Sequence, residues 1–64
     1  MKVRDVLKMI RDDGWQQVRQ RGSHRQFQHP EKPGTVTTAG KPGDEVHPKT
    51  VRSILRQARL LDDA

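Results

Sequence analysis

Apolar residues recur along this chain with two different periods. Val3, Val6, Leu7 and Ile10 fall within an arc of about 100° on a helical wheel, which predicts an amphipathic helix over Val3–Asp13. Gly14 supplies the left-handed residue that ends it, while Asp12 and Asp13 oppose the dipole and no Ser or Thr caps its start. From Trp15 the pattern turns to short stretches of Gln, Arg, Val and Phe split by Gly22-Ser23, which predicts a hairpin of Trp15–Arg21 and His24–Gln28. The Pro and Gly cluster from His29 to Gly34 closes the second strand, and the β-branched run Thr35–Thr38 predicts a third. After an irregular loop, Gly40–Glu45, Pro48 opens a second helix whose stripe is Val51, Ile54, Leu55 and Ala58, running to about Leu60. The order is α-β-β-β-α: a small α+β domain, one over residues 1–64, whose three-stranded antiparallel sheet packs two helices on one face.

Composition narrows what such a domain can do. Only 30% of the 64 residues are hydrophobic, with one Trp, one Phe and no Tyr, so the core is thin and a cofactor-binding fold has no room. Zero cysteines remove disulfide scaffolds, thiolate zinc sites and cysteine nucleophiles. Apolar runs reach only two residues, as in Leu60-Leu61, too short for a membrane span or the core of a signal peptide. The expectation is a cytoplasmic protein that touches no membrane and carries no cofactor or metal.

Charge is the stronger signal. The net charge is +5, and residues 14–30 hold Arg19, Arg21 and Arg25 with no acid, while residues 46–61 hold Lys49, Arg52, Arg56 and Arg59 with no acid. On the second helix these four form a ridge opposite the apolar stripe. A face that only confers solubility usually mixes in Glu, so the uninterrupted ridge points to phosphate or an acidic partner.

The three histidines differ in what they offer. Spacings of five and eighteen residues between His24, His29 and His47 match no familiar zinc pattern. In the second strand Phe27 is the only large apolar residue and must face the core, so His24, Gln26 and Gln28 lie on the open face. An exposed imidazole near Arg21 and Arg25 is placed where an RNA phosphate is drawn. It can accept the proton of a ribose 2′-hydroxyl or protonate a leaving 5′-oxygen, with arginines stabilising the phosphorane. An exposed histidine is more often only a surface residue, and the residues alone do not establish catalysis.

Gly14-Trp15, Val18-Arg19-Gln20, the run Gly22-Ser23-His24-Arg25-Gln26-Phe27, His29-Pro30 and the terminal Thr50–Ala58 together resemble the HicA family of bacterial toxins. The resemblance covers nearly the whole chain, in order and spacing. Where the family's last helix often reads Gln-Ala-Gly, this chain has Arg59 after Ala58. The resemblance implies a fold like a double-stranded-RNA-binding domain and a translation-independent mRNA interferase whose active-site histidine is His24. Arg19, Arg21, Ser23, Arg25, Lys49, Arg52 and Arg56 are then candidate RNA contacts. It also implies neutralisation by a HicB-like antitoxin, with DNA met only indirectly through that antitoxin. Two other functions fit the same basic surface: a non-catalytic module that binds double-stranded RNA, and a protein whose basic face serves an acidic partner alone.

Overall fold

In the computed structural model, which describes residues 1–61, the chain folds as α1 (Val3–Asp12), β1 (Gln16–Arg21), β2 (His24–Gln28), β3 (Val36–Thr38) and α2 (Pro48–Gln57). The three strands form one antiparallel sheet in the order β1-β2-β3. This is the expected small α+β domain; residues 62–64 of the span expected for it lie outside the described residues. Phe27 and Val36 project from one sheet face into a core completed by Val3, Val6, Leu7 and Ile10 of α1, by Trp15, and by Ile54 and Ala58 at α2. The whole α1 stripe and, from the α2 stripe, Ile54 and Ala58 with half-buried Val51 are spent on one face, Leu55 standing outside the core, and the other face of the sheet is left open.

The start of α1, which looks uncapped in local sequence, is capped from far along the chain. The N–H groups of Val3 and Arg4 donate to the carbonyls of Asp44 and Pro42 at 2.9 and 3.1 Å, and the Lys2 N–H donates to the Asp5 carboxylate at 2.9 Å. The irregular loop at 40–45 thus meets the helix's unpaired donors. At the other end Asp13 is the cap rather than part of the helix. Gly14, at φ +105°, closes a Schellman turn in which Gly14 N–H donates to Arg11 C=O and Trp15 N–H donates to Ile10 C=O.

For α2 the caps are His47 and Ala58. The His47 Nδ1 accepts the Lys49 N–H at 3.1 Å, and Pro48 sits in the first turn, where its missing N–H costs nothing. The helix stops before Leu60 because Arg59 takes a left-handed φ of +56°, and Arg59 and Leu60 donate back to Arg56 and Leu55. The expected basic ridge therefore loses its fourth member: Arg59 stands outside the helix.

Candidate functional site

Strand register decides which side chains share the open face. From the Gly22-Ser23 turn inward, Arg21 pairs with His24, Gln20 with Arg25 and Arg19 with Gln26, but Phe27 pairs with Gln17, so Val18 is an extra, bulged residue. Only Gly22 of the two turn residues has a positive φ, +58°, as a two-residue hairpin turn of the Gly-X kind requires. Without the bulge, Trp15, Arg19 and Arg21 would share one parity and one face. With it, the chain enters the sheet with Trp15 in the core, 1% exposed, and leaves it with Arg19 and Arg21 on the opposite, open side.

On that open face Arg19, Arg21, His24, Gln26 and Thr37 line a hollow of about 390 Å³. They stand on two rungs. Arg21 and His24 form the rung beside the turn; Arg19, Gln26 and Thr37 form the next, running across all three strands. Two residues along a strand separate the rungs by about 6.6 Å. Among the described residues the side chains of Arg19, Arg21, His24 and Gln26 have no hydrogen-bond or ion-pair partner, and no acid lines the hollow. Thr37 is fixed through its backbone, whose N–H donates to Gln57 Oε1 at 3.3 Å from α2. One imidazole, two guanidiniums, an amide and a hydroxyl thus converge on a water-accessible surface.

The other residues singled out from sequence are not brought to this hollow. Arg25 points to the helix side of the sheet, where its guanidinium donates to the Gly40 carbonyl at 3.1 Å. Ser23, half-buried in the turn, does not line the hollow. Lys49, Arg52 and Arg56 stand roughly 80–140° round α2 from Gln57, the side chain that reaches β3, and are exposed outside the hollow. Gln26 and Thr37 were not among the candidate site residues. The parity of Phe27 signals the first, whereas nothing local in Thr35–Thr38 tells which threonine faces out.

The other two histidines are structural. His47 caps α2, and His29 is held at both nitrogens: Nδ1 accepts the N–H groups of Glu31 and Lys32 at 3.0 and 3.1 Å, so the proton sits on Nε2 and is donated to the Asp13 carbonyl at 2.7 Å. Its ring meets the Trp15 ring edge-on, centroids 5.3 Å apart. Trp15 Nε1–H in turn donates to the Ala58 carbonyl at 3.2 Å, which also accepts from Lys32 Nζ at 3.3 Å, and Lys32 forms an ion pair with Asp13. The hydrogen bond from Lys32 holds the Asp13 carboxyl below the usual carboxylate range, with the charge of Lys32 adding to it against the opposing effect of burial. Among the described residues no three His, Cys, Asp or Glu side chains are grouped as a metal ion requires.

A small α+β domain that gathers unopposed guanidiniums round one imidazole on an open sheet face has the charge and the donors suited to a polyanionic ligand. Residues 3–60 match the family model for the HicA toxin of bacterial toxin-antitoxin systems, and the chain belongs to that family. It is the toxin component of such a pair, and its partner is an antitoxin. Among curated proteins there is no match to the chain. No helix among the described residues is long and apolar enough to cross a membrane.

Proposed function

We propose that this toxin is an endoribonuclease that cleaves mRNA in the cytoplasm, with His24 as the acid/base group. The observation that supports this most directly is the placement of His24 on one rung with Arg21, and one rung from Arg19, in the open hollow. The imidazole takes the proton of a ribose 2′-hydroxyl. The 2′-oxygen then bonds to the adjacent phosphorus, the bond from phosphorus to the 5′-oxygen breaks, and the leaving oxygen takes a proton from imidazolium or water, leaving a 2′,3′-cyclic phosphate and a 5′-hydroxyl. Arg19 and Arg21 stabilise the charge that builds on the phosphorane oxygens. With the substrate supplying its own nucleophile, this route needs no metal. Ser23 touches RNA from the turn, outside the hollow, while Arg25, Lys49, Arg52 and Arg56 contribute the wider positive field that draws RNA in. A HicB-like antitoxin neutralises the toxin by covering its surface.

The test is cleavage of a synthetic mRNA by the purified chain and by His24→Ala in the presence of a chelator. His24 is exposed, so the variant keeps its fold, which circular dichroism checks. The expected result is cleavage by the parent and a fall of about 10²- to 10⁴-fold in the variant. Equal cleavage by both removes His24 from the mechanism. Intact RNA with salt-sensitive binding by both replaces the enzyme with an RNA-binding module.

A further inference from the structure

The two rungs of the hollow differ in chemistry. The rung beside the turn carries the charged and titratable pair Arg21 and His24, suited to a phosphate. The rung about 6.6 Å further on carries Gln26 at its centre, flanked by Arg19 and Thr37, and is the one with neutral donors and acceptors. That spacing is of the order of one nucleotide step. Gln16, Gln26 and Gln28 are the glutamines whose side chains have no partner among the described residues, and of these Gln26 is the one that lines the hollow. Gln17 and Gln20 bond to each other and Gln20 to the Gly22 carbonyl, and Gln57 holds β3, whereas the Gln26 carboxamide has no partner among the described residues. A carboxamide offers a donor and an acceptor side by side, the pairing that matches the N6 and N7 positions of adenine.

We propose that the second rung is a base-reading subsite: it receives one unpaired nucleotide next to the phosphate held by Arg21 and His24, and the Gln26 carboxamide selects adenine there. The size of the hollow, about 390 Å³, suits a single nucleotide. In an RNA duplex the N6 and N7 edge of adenine lies in a deep, narrow major groove that side chains do not read, so that edge can reach Gln26 only when the base is splayed from a single strand. The hollow has no aromatic side chain, and the guanidinium planes of Arg19 and Arg21 take the stacking role. Thr37, anchored through its backbone to α2, fixes the far wall. The substrate is therefore single-stranded RNA with adenine at the subsite. This inference rests on the ribonuclease reading for the place of the cut and on the hollow alone for the choice of strand and base.

Two measurements test it and separate it from that reading. The first uses the His24→Ala protein with a labelled adenine-containing RNA oligonucleotide, single-stranded and annealed to its complement. The single strand should bind at least tenfold more tightly, and replacing its adenines by uracil should weaken it about tenfold. A duplex that binds as well as the single strand, or binding indifferent to adenine, overturns the inference. The second maps the ends made by the parent chain, by Gln26→Ala and by Gln26→Glu. The parent should favour adenine beside the cut, the alanine variant should lose that preference whatever its total rate, and the glutamate variant should turn it towards cytosine, whose N4 donates. Unchanged preference in both variants overturns the inference while the ribonuclease reading stands. If the parent cuts no RNA, the ribonuclease reading fails and the binding measurement still decides the subsite.

Discussion

At the scale of single residues, Arg59 shows what one position costs. It closes the Schellman turn of α2 with a φ of +56°, a conformation in which an L side chain crowds its own backbone and glycine does not. Replacing Arg59 by glycine should raise stability by about 1 kcal/mol, read as a rise of several degrees in Tm. An unchanged or lower Tm would show that the arginine makes up the strain elsewhere. This position was partly legible in advance: the family pattern places glycine after Ala58, and the arginine that stands there looked like a fourth member of a helical ridge. Backbone geometry, which periodicity does not report, takes it out of that ridge. The face of His24 is more fully legible in the sequence, because a single bulky apolar neighbour, Phe27, sets the parity of its whole strand.

At the scale of elements, the joints carry more than the strands do. Gly14 ends α1 at φ +105°, and a Cβ there would lie 2.8 Å from His29 Nε2, whose ring is fixed by three hydrogen bonds. Gly22 is also left-handed, at φ +58°, but nothing lies within 4 Å of a Cβ built on it. Urea unfolding should therefore separate the two substitutions, Gly14→Ala losing about 2 kcal/mol or more and Gly22→Ala about 1 kcal/mol. Equal losses would mean that His29 yields easily and that strain in φ is the whole effect. The strand boundaries themselves were nearly readable, with β2 as expected and β1 and β3 each one residue shorter at the start. The bulge at Val18 was not, since an exposed valine in a polar strand gives no local sign of being the residue left unpaired.

At the scale of the whole molecule, the fold is tied together at the end of the sheet away from His24. There the end of α1, the entry to β1, the loop after β2 and the end of α2 converge through Asp13, Trp15, His29, Lys32 and Ala58. Because Lys32 holds the Asp13 carboxyl below its ordinary value, the native state binds that proton less readily than the unfolded chain. The stabilisation is complete above the unfolded-state value near 3.9 and is lost as pH falls through the lower native value. Thermal melts at pH 7 and pH 3 should show a drop for the parent. The drop should be smaller for Lys32→Met, which lacks the ion pair at either pH. A variant as acid-sensitive as the parent would assign the loss to other groups.

The order of elements, the helical periodicity, the strand that carries His24 and the face on which His24 stands are all legible in the chain before it folds. Each of these depends on local periodicity or on one large apolar residue, and both are written in neighbouring positions. Features that depend on distant partners arise only when the chain packs. The loop at 40–45 caps α1 because its carbonyls arrive from the far side of the chain. Gly14, Trp15, His29 and Ala58 at the end of α2 form the structural joint, while Arg19, His24 and Gln26 stand on the open face. Which cations stand beside His24 was set by the pairing of β1 with β2: the bulge sends Trp15 inward and Arg19 and Arg21 outward, while Arg25, the neighbour of His24 in sequence, is carried to the opposite face by the alternation of the strand.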